Sequence, residues 1–317
     1  MEETKTRQPE KKGLELFINL FPFISLAVVI IGLAAATGGG LLQTANIRRI
    51  FEQSFAQMLV AGGVIFLMTQ DCMDMSVGAI IGLSGAVAAY TSQVSIPLAL
   101  VAALAAGLAV GLINGLLNGI LGLNSMICTL AMQFILRGIL LIICKSGSVG
   151  IALEMYDLDS LNLKIVICVV YLIVAWLFFQ YHIYGKQCKA VGAGKVSAIQ
   201  SGINIKKTRM IGYIISGTVS GLAGFFTVIR SGAALYNTGN MVEIDTLIAL
   251  ILGGMAINGG ANSKFRSVVI GVVILGVLNN GMVLLGLGTY PQLITKGLVF
   301  ILVLTLTFTL RTKMNRK

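Results

Sequence analysis

The chain has 317 residues, 56% hydrophobic and only 11% charged, with a mean hydropathy of +0.92. Soluble domains carry about 25% charge, so this composition excludes a water-soluble fold and indicates an integral membrane protein. The net charge of +11 would suggest nucleic acid in a soluble chain, but here the cations gather at segment ends and in one loop, where lipid headgroups and topology account for them.

The opening MEETKTRQPEKK reads as an irregular, charged cytoplasmic tail over 1–13, and the apolar run after it carries no cleavage signature and stays as the first span. A helix needs about 20 apolar residues to cross the hydrocarbon, and runs of that length exclude a β-barrel. Hydropathy places spans over 16–36, 53–70, 76–93, 96–121, 125–144, 164–182, 211–231, 244–260, 266–287 and 291–310. The expected fold is therefore all-α and polytopic: about ten transmembrane helices in one domain over 14–310, with a cytoplasmic tail over 311–317. A re-entrant eighth segment, rich in glycine, is the alternative and gives nine spans.

An even number of crossings puts both termini on one side, and both are basic, the chain closing on Arg311, Lys313, Arg316 and Lys317. That side is the cytoplasm. The loop over 146–163, with Glu154, Asp157 and Asp159, then lies outside, and the loop over 183–210 lies inside with the turn holding Lys264 and Arg266. Arg48 and Arg49 fall outside against this rule unless they ride a short interfacial helix.

The two halves echo one another. Asp74 is followed eight residues later by Gly82, and Asp245 eight later by Gly253; GLLNG at Gly115–Gly119 has a relative in GVLNNG at Gly276–Gly281, and Met126–Thr129 in Gln292–Thr295. Five spans separate the copies, so spans two to five and seven to ten form an inverted repeat, the usual way to build a path through a membrane.

Gly107, Gly111, Gly115 and Gly119 lay a bare stripe along span four, a packing seam for another helix. Asn114 and Asn118 share that four-residue spacing, and Asn279 and Asn280 occupy the echo position. An amide in lipid is costly unless paired, so helix-to-helix hydrogen bonding and lining of a wet path are both open. Arg137 lies inside span five, where an ion pair, snorkelling and substrate contact compete. Asp74, with Ser76 beside it, and Asp245 start spans, where capping and gating compete. These eight polar residues are the candidates for the translocation path or its gate.

The loop over 183–210 carries Lys186, Lys189, Lys195, Lys206, Lys207 and Arg209 and no acid. Its Val191–Ser197 stretch holds Gly-Lys near a serine but lacks the phosphate-loop spacing: Lys189 stands where the first glycine belongs and Val196 where the hydroxyl belongs. The same stretch makes sense as a short cytoplasmic helix. Ser197 and Gln200 resemble a capping box, Gly202 can end the helix, and Ala198 and Ile199 give it an apolar knob. Gly192, Ala193, Gly194, Lys195, Val196, Ser197, Ala198, Ile199, Gln200, Ser201 and Gly202 form the candidate docking element for a soluble partner.

Bond-making chemistry is not expected. His182 is the only histidine, which leaves zinc clusters and Ser-His-Asp triads without their residues. Cys72, Cys128, Cys144, Cys168 and Cys188 lack metal-ligand spacing and read as small apolar fillers.

At this point the chain resembles the permease subunit of bacterial ABC importers of the ribose/xylose/galactose type. Cys72-Met73-Asp74-Met75-Ser76-Val77-Gly78 resembles the family's GG-I-D-L-S-V-G element, and Met126–Leu130 with Arg137-Gly138 its F-I-x-T-L…R-G element. Gly185, Ala190–Gly194 and Ala198…Ser201-Gly202-Ile203 resemble its cytoplasmic signature. Glu243-Ile244-Asp245…Leu252-Gly253-Gly254…Gly259-Gly260 and Leu275–Gly281 match two later elements. The chain departs at Asp71-Cys72, which replace paired glycines, at Ser125 in place of a proline, at Gly194 in place of an asparagine, and at Asn262 within the glycine cluster.

The resemblance implies a paired permease, either two identical copies or a copy with a paralogue, and two cytoplasmic ATPase domains, often fused in one chain. It also implies an extracytoplasmic binding protein that delivers a monosaccharide. The stretch Gly194–Ser201 would be the coupling helix seated in the ATPase. No cofactor is bound by this chain; ATP and Mg belong to the partner. The competing classes are an ion-gradient-driven secondary carrier, which lacks a clear intramembrane acid cluster among Asp71, Asp74 and Asp245, and a membrane scaffold, which leaves the echoing halves without purpose.

Overall fold

The computed structural model describes residues 3–145, 147–256 and 259–316, with side chains at 20–145, 147–256, 259–305 and 309. Helix α1 spans Glu3–Ala36, so the charged opening is its first turns instead of an irregular tail; Glu, Lys and Gln extend a helix readily once an apolar stretch nucleates it. Helix α2, Thr44–Thr69, begins ahead of the second predicted span. Arg48 and Arg49 therefore sit in its first turns and not on a separate interfacial helix, Arg48 pairing with Glu52 at 2.9 Å.

Helices α3 (Val77–Ser92), α4 (Ile96–Gly115), α5 (Ser125–Cys144) and α6 (Leu161–Gln180) follow the next four predicted spans within a few residues. Their starts are written into the sequence. Ser95 caps α4, with a proline in its first turn, Asn124 accepts from the Met126 and Ile127 amides at the head of α5, and Ser160 caps α6. A π-helical turn over Leu116–Ile120 closes α4.

The basic loop folds into α7 (Ile183–Ala193), α8 (Lys195–Gln200) and the head of α9 (Ile205–Ser231), which Asn204 caps and Gly232, at φ 76°, ends. Helices α10 (Val242–Leu252), α11 (Arg266–Leu284) and α12 (Thr289–Arg316) complete the chain. Between helices, β1 (Ser148–Gly150) and β2 (Ala233–Leu235) pair antiparallel, Val149 opposite Ala234.

Among the described residues, the eighth expected span is not a full-length helix. Helix α10 has 11 residues, about 16 Å of rise against a hydrocarbon thickness of about 30 Å, so the eighth span expected over 244–260 is a half-length helix. Gly253 and Gly254 end it, Gly254 at φ 94°, and Gly259 and Gly260 also take left-handed conformations that continue no helix. Among the described residues, six helices are long and apolar enough to cross a membrane, and Leu20–Ala36, Val77–Ser92 and Thr289–Thr305 are shorter apolar helices.

The helices sort into two compact units. One gathers the two ends of the chain, up to Ser54 and from Arg266, with Ile248–Ala256. In it α1 packs on α11, where a Cβ at Gly281 would press on Leu33, and Asn46 donates to Asn280 at 2.7 Å. The other unit holds Phe55–Leu247 and the segment that ends at Phe265.

The second unit is built on a glycine seam. Helix α4 lies on α9, and the predicted stripe is the contact: Gly107 meets Gly217 and Gly221, Gly111 meets Tyr213 and Gly217, Gly115 meets Met210, and Gly119 meets Lys206. Backbone approaches backbone most closely where Gly107 and Gly111 meet Gly217 and Gly221, because neither side carries a side chain there. Replacing Gly217 by alanine, which drives a methyl into the Gly107 and Gly111 backbone, is expected to cost about 1–3 kcal/mol. Gly138→Ala, which meets open space, is expected to stay within about 0.5 kcal/mol of the parent in thermal melts of the detergent-extracted protein.

Candidate functional site

Two stretches of the second unit leave the helix between apolar elements. The first, residues 70–76, joins α2 to α3 and turns at Asp71, whose φ of 60° is unusual for a residue with a side chain. The second, residues 232–241, joins α9 to α10 and ends at Met241, φ 66°, in the same unusual region. The first turn of α3, just past the first break, touches the second break and the head of α10. A Cβ at Gly78 would overlap both the Gly239 carbonyl and the Glu243 carboxylate, and a Cβ at Gly239 would overlap the Gly78 carbonyl.

Helix α5 supplies the side chains that serve both breaks. Ser125, Thr129, Gln133 and Arg137 stand four residues apart and so share one face. Ser125 Oγ accepts from the Met73 amide at 3.3 Å and Thr129 Oγ1 from the Met75 amide at 3.0 Å. Higher on the same face, Gln133 donates to Glu243 Oε1 at 2.8 Å and Arg137 donates to the Thr238 carbonyl at 2.6 Å. The result is a polar ladder with two rungs on the first break, one on the second and one on the first turn of α10.

The predicted path residues fall into buried networks around this ladder. Asp74 accepts from the Ser76 amide and hydroxyl through Oδ1 and from Ser216 through Oδ2 at 3.0 Å, and Asn114 donates to Ser76 at 2.8 Å. Asp74 thus shapes the turn into α3 and ties it to α9. Asn118 donates to the Leu123 carbonyl and faces the Cys72 thiol. Asn280 belongs to the other unit with Asn46, and Asn279 there keeps a buried oxygen without a hydrogen-bond partner. Of the two roles open to the amides, Asn114 and Asn280 display bonding between elements, while Asn118 bonds the loop after its own helix and faces the first break. Asp245 lies half-buried in the first turn of α10, where its charge suits the positive helix end. Arg137 bonds the Thr238 carbonyl and, among the described residues, joins no ion pair.

Gln133, Glu243, Thr238 and Ser216 were not among the predicted site residues. The four-residue polar spacing through span five was the available signal.

The basic segment has its own geometry. Gly194 ends α7 and starts α8 with no side-chain cap, so the capping box expected at Ser197 does not form: Ser197 is already inside the helix. Gly202, at φ 79°, closes α8, its amide bonding Ile199 while the Ile203 amide bonds Ala198. Ala198 faces the protein at 2% exposure; Val196 at 70% and Ile199 at 62% form the apolar knob instead. Lys186, Lys195, Lys206 and Lys207 are exposed around it.

Helix α7 is anchored beneath this knob. His182 caps it, the Tyr184 hydroxyl donates to the Thr208 carbonyl, and Gln70 at the first break reaches Tyr184 and Cys188. Burial pushes the Cys188 thiol up to about 12 and the Tyr184 phenol well above its usual value, so both stay protonated. Gly192 admits the close approach of Thr69, whose carbonyl accepts from Gly260, and Lys195 at the head of α8 pairs with Asp71 at 3.4 Å. Half-exposed, that pair is worth about 0–1 kcal/mol and marks contiguity more than strength.

The family model for the permease component of branched-chain amino acid transport systems matches residues 46–306. The chain is 29% identical to the ribose import permease protein of Bacillus subtilis (strain 168) over 96% of its own length and 98% of that protein. It is 32% identical to the D-allose transport system permease protein of Escherichia coli (strain K12), over 92% and 93% of the two chains. It is also 32% identical to the L-arabinose transport system permease protein of that strain, over 77% and 76%. No solved structure matches. With apolar helices long enough to cross a membrane and a match over most of its length, this chain is a multi-pass membrane protein that belongs to the branched-chain amino acid transport system permease family.

Proposed function

We propose that the chain is the membrane-spanning subunit of an ATP-driven importer that moves a monosaccharide, handed over by an extracytoplasmic binding protein, by alternating access. The observation that carries this reading is the exposed, cation-flanked knob of α8, which sits beyond a glycine hinge and is tied through Lys195 and Gly192 to the start of the first break. A buried or lipid-facing loop has no use for such an element; a soluble motor does. Permease relatives named for ribose, allose and arabinose support a pentose or hexose as cargo in preference to an amino acid.

The motor is a separate ATPase that holds ATP and Mg and grips Gly192–Gly202, and a second permease completes the assembly. Differential binding of ATP to the inward-open and outward-open states supplies the work. Displacement of α8 acts on Asp71 and Thr69, then on Met73 and Met75, then through the α5 ladder on Thr238 and Glu243. Both termini lie in the cytoplasm. Ten crossings follow if the eighth consists of an extended stretch and the half-length α10. The inverted repeat draws support from the breaks themselves: each comes after a long helix, α2 or α9, and leads into a short one, α3 or α10.

Val196→Asp and Ile199→Asp alter exposed side chains, so the permease is expected to keep its melting behaviour while the ATPase no longer co-purifies and uptake by the full assembly falls about tenfold or more. Uptake by this chain alone in liposomes, abolished by collapsing an ion gradient and indifferent to ATP, would establish the secondary carrier in its place.

The orientation has its own check. Ser197→Cys is expected to react with a membrane-impermeant thiol reagent in inside-out vesicles and not in right-side-out ones. Cys188, buried and with a thiol raised to about 12, is expected to stay unmodified at neutral pH, since the thiolate is the reactive form. Labelling of Ser197→Cys from outside rules out the cytoplasmic handle.

A further inference from the structure

We propose that Gln133, Arg137 and Glu243 form a subsite for a neutral, hydroxyl-rich cargo, a reading that rests on the sugar-importer function proposed above. The three groups converge where α5 faces the second break. Gln133 and Arg137 are half-buried, and Glu243 is 3% exposed.

The hydrogen-bond inventory leaves capacity at this end of the ladder. Ser125 and Thr129 serve the backbone of the first break, and both oxygens of Asp74 are taken by Ser76 and Ser216. Glu243 uses only Oε1, on Gln133, and Arg137 donates only through Nη1, to Thr238; Glu243 Oε2 and Arg137 Nη2 are buried with no hydrogen-bond partner. The carboxylate and the guanidinium lie within electrostatic reach of one another yet form no ion pair. A buried donor and a buried acceptor left open in this way cost stability unless something fills them.

A hydroxyl group fills both, because it donates and accepts at once. The formal charges of Arg137 and Glu243 cancel, so the subsite favours an uncharged polyol over an anion or a cation. Glycines keep the facing surface of α3 bare: a Cβ at Gly78 would overlap the Glu243 carboxylate, and one at Gly82 would press on Leu140 and the Thr238 carbonyl and reach the Arg137 guanidinium. A zwitterionic amino acid is the rival occupant, its two ends matching the same two charges.

The test uses the full assembly, reconstituted with its ATPase and binding protein, and measures uptake of ribose, allose and arabinose together with ATP hydrolysis. In Glu243→Gln and Arg137→Gln, sugar moved per ATP hydrolysed is expected to fall about tenfold, the effect of one lost charge-assisted hydrogen bond. An unchanged ratio in both variants overturns the subsite. Where these variants fail to fold, Gln133→Cys decides the matter: an imported sugar at millimolar concentration is expected to slow its modification by a hydrophilic thiol reagent about threefold, as partial occupancy would. Equal rates with and without sugar overturn the proposal. A parent assembly that imports a branched-chain amino acid and none of the sugars removes the cargo reading and the subsite together, a result distinct from variants that retain sugar uptake.

Discussion

Backbone that leaves the helix where packed elements exclude water must find its hydrogen-bond partners in protein. That constraint organises the larger unit of this chain. Residues 70–76 and 232–241 abandon helical bonding, and one face of α5 answers both: two hydroxyls take the Met73 and Met75 amides, and a guanidinium takes the Thr238 carbonyl. Local bonds satisfy much of the remainder, Cys72 to Leu67, Ser76 to Asp74 and Leu235 to Thr238. The breaks persist because the surrounding side chains over-determine them, which is how left-handed Asp71 and Met241 are held without a glycine's freedom.

The glycine seam serves the same end. Helix α3 packs against α4, α5 and α9, and the bare α4–α9 contact brings those two helices together closely enough for Asp74 to reach Ser216 while Asn114 reaches Ser76. Fuller residues at Gly111 or Gly217 would part the helices and strand a buried carboxylate without its donors. Packing and polar satisfaction are therefore one requirement here, met by small residues on α4 and hydroxyls on α9.

Hydropathy made the long helices legible, and α5 falls on Ser125–Cys144 as its apolar run and the Asn124 cap require. The same reasoning overran at 244–260, because Met255 and Ala256 are as apolar as the helix before them while Gly253 and Gly254 end it; residues 257 and 258 lie outside the described residues. The seam was legible from its four-residue period, though its partner on α9, Gly217 and Gly221, carries the same spacing and passed unread. The ladder was half legible. Arg137 stood out as a charge in an apolar run, whereas Ser125, Thr129 and Gln133 look unremarkable singly and acquire meaning only through what the two breaks need. Hydrophobic weight likewise drew attention to Ala198 and Ile199, but only the fold reveals that Ala198 turns inward and Val196 outward.

One face of α5 thus holds backbone at both breaks. The lower rungs of α5 are bonded to main chain at the first break, whose start touches α7 and α8 through Thr69 and Asp71. The upper rungs are bonded at the second break, where Glu243 opens α10. Single hydrogen bonds at each rung link α5 to the two breaks and to the head of α10. Each such bond is worth about 0.5–3 kcal/mol. Asp74 is fully committed to holding the fold, since Ser76 and Ser216 between them take both of its oxygens.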